Sequence, residues 1–395
     1  MRIAVLTSGI LPVPAVQGGA VENLTDYYLA WNHLHRLHDI TIYSVFHPKL
    51  CQAEELLSDV NHYIYIDTSS CWQRLRRYLF GRSQYGLAYN HYIEFFLSEA
   101  IKRMGDEHYD VIVLENRPGY AIHKELTRHG PLVLHLHNDF LNNSIPFADT
   151  IAANIKKVIA VSDYIRQRVL TLTTAPETCV VYNGIQAERF VKATDKMTLR
   201  HQLHMSGQDF IVLYTGRLMA EKGIDKLLEA FSLLRDEQNV KLYVLGNPFF
   251  DNVKSDNEFT LYLKTMASNL GSQVTFTGYV PYDKVPQYVA AADVAVVPSV
   301  WQEPFGLTCI EAMAAGIPLI TTKVGGIPEI VKGEQNILLE ADDNLPSNLA
   351  KAIVTIKRHY SQFVGNSLDP RFTAENYAKA FFDALPQPHH QQHEL

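Results

Sequence analysis

The sequence predicts an α/β protein made of two doubly wound units, each built on a parallel sheet. Strand-like apolar runs alternate with helical patterns from end to end. Many of these runs are continuous rather than alternating in polarity, as strands covered on both faces should be. At 395 residues the chain exceeds what one small core organises and is long enough for two domains.

In chain order, the first half supplies "RIAVLTS", "DITIYSV", "HYIYID", "DVIVLEN", "PLVLHLH", "KKVIAVS" and "TCVVYN". The second half supplies "DFIVLYTG", "VKLYVLG", "QVTFTGY", "DVAVVPS", "IPLITT" and "NILLE". Helical patterns such as "EKGIDKLLEAFSLLRDE" and "DKVPQYVAAA" lie between them. The boundary is expected in the polar stretch 188–208, giving a first domain over 1–190 and a second over 205–370. A last helix within 372–385, "TAENYAKAFFDAL", is expected to pack back on the first domain. The polar tail 386–395 is expected to be disordered. Two such units facing each other across a deep cleft would each present ligand-binding loops at their strand C-termini.

Composition narrows the function. The chain is 47% hydrophobic and 19% charged, as soluble globular proteins are. A formal charge of −7 argues against nucleic acid as a partner. The cysteines at 51, 71, 179 and 309 show no C-x-x-C or zinc spacing, which fits a reduced cytoplasmic setting and no metal site. The opening "MRIAVLTSGILPVP" is interrupted by Thr7, Ser8, Gly9 and two prolines. It reads as a first strand and not as a signal peptide. No run of 18 apolar residues offers a membrane span.

Three stretches carry chemistry. "VQGGAVENL" places Gly18 and Gly19 at the first strand–helix turn, where backbone can approach a ligand closely. A plain tight turn is the alternative, and the pair is not a G-x-G-x-x-G fingerprint. "TGRLMAEKGID" sets Arg217 and Lys222 at the equivalent turn of the second half. Two cations at a strand's C-terminal edge suit a diphosphate; solvated surface charges are the alternative. "EPFGLTCIE" holds Glu303 and Glu311 eight residues apart. Pro304 and Gly306 put the helix start after about Phe305, so Glu303 belongs to a loop and Glu311 lies just over a turn inside the helix. The helix N-terminus between them is an anion site. The two acids then read as a clamp on a bound anion, as an acid/base pair, or as a metal site.

The stretch "PSVWQEPFGLTCIEAMAAGIPLITTKVGGIPEIV", with "VYNGI" at 181–185 and the Gly-rich first loop, resembles the retaining nucleotide-sugar glycosyltransferases of the GT-B architecture, glycosyltransferase family 4. The resemblance covers nearly the whole chain and is most specific in the C-terminal half. It implies that Glu303 contacts the donor sugar, that Glu311 binds the ribose, and that Arg217 and Lys222 hold the diphosphate. It further implies that Phe305, Gly306, Leu307 and Thr308 line the sugar and phosphate. Gly18, Gly19 and Val280 are counted with them as donor-binding. At the end of "LVLHLHND", His137 is implied to lie near the reacting sugar, whereas His135 is read as pointing to the opposite strand face and packing. Catalysis would then rest on Glu303, His137, Arg217 and Lys222, with no cofactor. No D-x-D occurs, so the cations and the helix end would do the work of Mg²⁺.

The expected activity is transfer of a sugar from a nucleoside diphosphate, UDP being the expected one, to a hydroxyl of a glycan or lipid-linked glycan in cell-surface polysaccharide synthesis. A nucleotide-sugar epimerase or phosphorylase would not release UDP stoichiometrically with transfer, and a non-catalytic binder would show no turnover. Residues 71–82 add a further expectation. They hold four arginines (74, 76, 77, 82) and no acid, interleaved with Trp72, Leu75, Tyr78, Leu79 and Phe80. Such a segment suits peripheral contact with the inner face of an anionic membrane, or arginines that bind acceptor phosphates. The alternative is a surface helix whose apolar side packs on the first sheet.

Overall fold

The computed structural model describes all residues except 54, 55, 57, 84–90, 192, 248–256 and 388–395. The tail expected to be disordered therefore lies, from residue 388 on, outside the described residues. The chain divides into two compact units, Met1–Asn183 with Ala374–Leu395, and Gly184–Thr373. The division falls ahead of the polar stretch 188–208, which belongs to the second unit.

In the first unit the elements run β1 (Arg2–Leu6), α1 (Ala20–His35), β2 (Asp39–Val45), β3 (Asn61–Ile66), α2 (Cys71–Ser83), α3 (His91–Met104), β4 (Val111–Glu115), β5 (Leu132–Leu136), α4 (Ala148–Ala152), β6 (Ile155–Ala160), α5 (Asp163–Val169) and β7 (Glu177–Val180). The strands form a seven-stranded sheet ordered β3-β2-β1-β4-β5-β6-β7. Every described pairing is parallel. The continuous apolar runs explain this. β4 and β5 are buried along their whole lengths, because crossover helices cover both faces of the sheet.

The second unit carries α6 (Lys196–Gln202), β8 (Phe210–Thr215), α7 (Ile224–Ser232), β9 (Val240–Leu245), α8 (Glu258–Ser268), β10 (Val274–Gly278), α9 (Val285–Ala291), β11 (Val294–Val297), α10 (Leu307–Ala314), β12 (Leu319–Thr322), α11 (Ile327–Ile330), β13 (Asn336–Leu339), α12 (Leu345–Arg358) and α13 (Tyr360–Phe363). Its sheet is six-stranded and parallel, ordered β10-β9-β8-β11-β12-β13. In each sheet the order reverses once, between β1 and β4 and between β8 and β11. The connections leave these pairs in opposite directions and open a crevice at the strand C-termini.

The last helix, α14 (Ala374–Ala384), belongs to the first unit. Phe381 stacks on Tyr28 of α1 with ring centroids 4.2 Å apart, and Phe382 stacks on Trp31 at 5.7 Å. Helix α2 corrects one reading. Its apolar side does not pack on the sheet: Trp72 is 78% exposed, Tyr78 56% and Leu79 55%. An adjoining flank of the helix meets α3, where Arg76 pairs with Glu99 at 3.0 Å and lies over the Phe95 ring. Phe80 meets the same ring edge-on.

The second unit is tied at its start by a buried charge cluster. Arg200 of α6 donates to Asp293 at 2.6 Å and to the carbonyls of Ala291, Gly207 and Asp209. Asp293 also accepts from Lys196 at 2.7 Å and from the Ile211 N–H at 2.6 Å. Removing one partner of such a pair leaves an uncompensated buried charge. Asp293→Ala is therefore expected to cost the second unit about 3–5 kcal/mol, read as a lower urea midpoint for its unfolding transition. An unchanged midpoint would show that the cluster is not holding α6 to the sheet.

Candidate functional site

At the β8/β11 crevice the chain brings together residues far apart in sequence. Strand β8 ends at Thr215, and the loop beyond it runs through Arg217 to the short 3₁₀ helix Ala220–Lys222. Strand β11 ends at Val297, and its loop carries Ser299, Trp301 and Glu303. The Glu303 carboxylate accepts from Lys222 Nζ at 2.5 Å and from the Ser299 hydroxyl. The same ammonium lies 5.5 Å from the centre of the Trp301 ring. Lys222 and Glu303, singled out separately, are thus each other's partners. Arg217 is fixed to the fold through its carbonyl, which accepts from the Tyr214 hydroxyl at 2.9 Å.

Gly306 caps α10 with φ +108, a conformation open to glycine. The helix begins at Leu307, as Pro304 and Gly306 led us to expect, with Thr308 in its first turn. Phe305 is buried edge-on against Phe372, 5.9 Å between centroids, so its backbone and not its ring is what this loop offers a ligand. Glu311 lies one turn inside α10 and is buried. It accepts from the Tyr282 hydroxyl at 3.0 Å. The Arg189 guanidinium sits 5.1 Å over the Tyr282 ring. Burial, only partly offset by Tyr282 and Arg189, raises the Glu311 carboxyl to about 7. Val280, half-buried, stands on the loop that leads from β10 to Tyr282. Sequence reasoning missed Ser299, Tyr282 and Arg189, because no local motif marks a hydroxyl or a cation that acts from another loop.

The first unit has its own polar centre. Gly18 and Gly19, with φ +76 and +107, lead into α1. Glu22 of that helix's first turn is buried and accepts from the Ser8 hydroxyl at 3.1 Å; burial raises it to about 7. Across the β1/β4 crevice, Glu115 ends β4 and sits opposite His135 in the parallel register. Its carboxylate lies 3.1 Å from His135 Nδ1 and 3.2 Å from His137 Nε2, and accepts from the Tyr28 hydroxyl at 2.8 Å. The reading that His135 points away from His137 is overturned. Residues two apart on a strand share a face, and the two rings stand 4.1 Å apart. Each of the three residues offers one possible ligand atom within 4.8 Å of the others.

The description "Glycosyl transferases group 1" matches residues 195–360, and "Glycosyltransferase Family 4" matches residues 27–189. YtcC of Bacillus subtilis is 30% identical over 366 residues, 89% of this chain and 82% of that protein. The lipopolysaccharide 1,2-N-acetylglucosaminetransferase of Salmonella typhimurium is 29% identical over 284 residues, covering 70% and 72% of the two chains. Among solved structures, Anabaena HepE in complex with UDP and glucose superimposes with a TM-score of 0.73 at 21% identity, over 97% of this chain and 98% of that one. Sucrose-phosphate synthase from Thermosynechococcus elongatus gives 0.72 at 22% identity over the same shares. These structural likenesses carry the fold, the two-sheet GT-B architecture.

The protonation of Glu311 makes a prediction that needs no ligand. Its folded carboxyl, at about 7, lies above the unfolded value of 4.5. Between the two, the native state holds a proton that the unfolded state has lost, so stability falls as pH rises from about 4.5 through 7. The full loss is on the order of 3 kcal/mol. Glu311→Gln keeps an acceptor for Tyr282 and removes that penalty. Its melting temperature relative to the unsubstituted protein should be higher at pH 8 than at pH 5. The difference between the two proteins cancels the similar contribution of Glu22. A pH-independent difference would mean that Glu311 is ionised throughout.

Proposed function

Because the chain belongs to the group 1 glycosyltransferases of family 4, we propose that it moves a sugar from a UDP-sugar to a hydroxyl of a glycan or lipid-linked glycan, with retention at the anomeric carbon and without a metal ion. The observation that carries this reading is the Lys222–Glu303 pair beside the N-terminus of α10. It sets a cation and a carboxylate at the one crevice of the sheet where a diphosphate and a sugar would lie side by side. The UDP and glucose bound by HepE support UDP as the nucleotide. The lipopolysaccharide-building relative supports a cell-surface glycan as the product.

In this reading Arg217, Lys222 and the first N–H groups of α10 meet the diphosphate, whose charge grows as the glycosidic bond breaks. Glu303 accepts from sugar hydroxyls and Glu311 from the ribose. The loop Phe305–Thr308 closes on the phosphates, and Val280 borders the donor. Gly18 and Gly19 allow close approach at the first unit's edge, and His137 faces the sugar. The departing phosphate serves as the base for the incoming hydroxyl on the same face of the sugar.

The test is product analysis with UDP-glucose, UDP-galactose and UDP-N-acetylglucosamine in EDTA, with anomeric configuration read by NMR. UDP release matched to a product of retained configuration is expected. Loss of transfer in EDTA with recovery in Mg²⁺ or Mn²⁺, or an inverted product, would refute the mechanism. Glu303→Gln should lower turnover severely, while Glu311→Gln mainly weakens donor binding. Gln keeps an acceptor oxygen at each place but not the charge, and a hydrogen bond to a charged group is worth about 1.5–3 kcal/mol.

Helix α2 supports a peripheral site at the inner membrane face. Trp72, Leu75, Tyr78 and Leu79 are exposed beside Arg74 and Arg76. Among the described residues no helix is long and apolar enough to cross a membrane. Co-sedimentation with phosphatidylglycerol vesicles at low salt is expected. It should weaken on replacing Trp72 and Leu79 by Ser, and again on replacing Arg74 and Arg77. Equal binding to phosphatidylcholine vesicles, or none to either, would leave α2 a surface helix.

A further inference from the structure

Nothing in the proposed donor chemistry uses Glu115, although it is among the most deeply buried charges of the first unit. It ends β4, an otherwise wholly apolar strand, beside the crevice. Three side chains converge on it: Tyr28 from α1, His135 from β5, and His137 from just past β5. A buried carboxylate needs donors. Both imidazoles must therefore present an N–H toward it, His135 through Nδ1 and His137 through Nε2. The remaining ring nitrogens, His135 Nε2 and His137 Nδ1, are buried and have no hydrogen-bond partner among the described residues.

The two histidines differ in their place on the strand. The His135 ring packs 5.0 Å from Phe381 and 6.2 Å from Tyr377, inside the core against α14. His137 lies at the C-terminal edge of the sheet, one residue beyond the end of β5. Its position is fixed twice. Asn116, in the left-handed region at φ +56, accepts from the His137 N–H at 3.0 Å while its own N–H donates to the His135 carbonyl at 2.8 Å. Glu115 holds the ring. Burial, and next the neighbouring His135, lower His137 to about 4, so the ring is neutral near pH 7. Burial would raise Glu115, but His135 and His137 outweigh it and hold the carboxyl at about 2.

We propose that Glu115 is a positioning residue that locks His137 in the Nε2–H tautomer, leaving Nδ1 as a hydrogen-bond acceptor for a hydroxyl of the sugar substrate. The last step rests on the reading of His137 as a residue that faces the sugar; the tautomer does not. His137 so held receives a hydrogen bond and does not supply a proton. A substrate group that only accepts, such as a fluorine in place of that hydroxyl, would set its lone pair against that of Nδ1.

The experiment has two arms. In the full chain labelled with ¹⁵N-histidine, long-range ¹H–¹⁵N spectra at pH 7 report the tautomer, with His137 assigned by its loss in His137→Gln. A neutral ring protonated at Nε2 is expected, giving way to mixed tautomers in Glu115→Gln, whose amide accepts on one side only. An Nδ1–H ring or an imidazolium in the unsubstituted protein overturns the proposal. So does one zinc per chain retained on Glu115, His135 and His137, because a metal takes lone pairs where the proposal places N–H groups. If Glu115→Gln does not fold, the unsubstituted spectrum and Tyr28→Phe, which removes one donor from the carboxylate, still decide. In the second arm, kcat for UDP release from whichever of UDP-glucose, UDP-galactose or UDP-N-acetylglucosamine is consumed should fall about 10–100-fold in Glu115→Gln, the scale for partners that orient a histidine. KM should move less than about threefold. An unchanged kcat with the expected tautomer overturns the positioning role. Absence of UDP release from the unsubstituted protein with all three donors, while the tautomer stands, refutes the proposed function and the substrate contact with it, not the lock.

Discussion

The Glu303 carboxylate takes Lys222 from the loop after β8 and Ser299 from the end of β11, while its backbone carbonyl accepts the Gly326 N–H at 2.7 Å. A carboxylate withdrawn from water is costly unless it is paired and hydrogen-bonded, so these three loops stand or move together. The Gly325–Gly326 turn shows how close the fit is. Gly325 adopts φ +53, and a side-chain carbon there would fall 2.0 Å from the Glu303 carbonyl oxygen. The "GGIPEIV" stretch thus has a mechanical reason: only glycine lets the loop after β12 lie against the backbone that carries Glu303. Gln302 closes the same contact by accepting from the Gly325 N–H at 2.7 Å.

The first unit repeats the principle with different residues. β4 stands to β1 as β11 stands to β8, across the point where the strand order reverses. At that place each unit buries an acid, Glu115 at the end of its strand and Glu303 in the loop beyond. Each acid draws at least one donor from beyond its own strand and loop, Lys222 for Glu303 and Tyr28 with the two histidines for Glu115. The difference lies in the donors. Glu303 has an ammonium, whose charge balances it outright. Glu115 has two imidazoles and a phenol, so its charge is shared among polar groups in a dry core. The same topology therefore yields an ion-paired arrangement in one unit and a hydrogen-bonded one among imidazoles and a phenol in the other.

Much of this was legible in the sequence because backbone burial leaves a local mark. Continuous runs such as "DVIVLEN" and "PLVLHLH" announce strands covered on both sides, and Pro304 with Gly306 announces where α10 begins. Contacts between distant loops leave no such mark. Lys222 and Glu303 are 81 residues apart, and nothing near either one names the other. The reading of His135 as facing away from His137 fails for a different reason: the period of two in a strand puts both on one face, and the acid that joins them sits on the neighbouring strand. For α2, the sequence shows apolar residues interleaved with arginines but not which of them meet a neighbour; Arg76 and Phe80 contact Phe95 of α3, while Trp72, Leu75 and Leu79 stay exposed.

The position of Lys222 gives the proposed reaction a specific electrostatic logic. An ammonium has three donors, and Glu303 engages it from one direction while the Trp301 ring flanks it from another. A diphosphate arriving at the α10 N-terminus need not break the pair; it can take a remaining N–H. The cation then lies between a fixed carboxylate and a ligand whose charge changes during the reaction. As the glycosidic bond lengthened, the diphosphate would gain negative charge and draw the ammonium more strongly. In the proposed reaction its hold on Glu303 would then loosen, and the carboxylate would become a better acceptor for the hydroxyls of a sugar that is turning positive. Stabilisation of the leaving group and of the sugar would thus rise together through a single side chain. Arginine would serve this less well, because its planar fork commits its donors to fixed directions, whereas a lysine ammonium on a flexible stem can redistribute them.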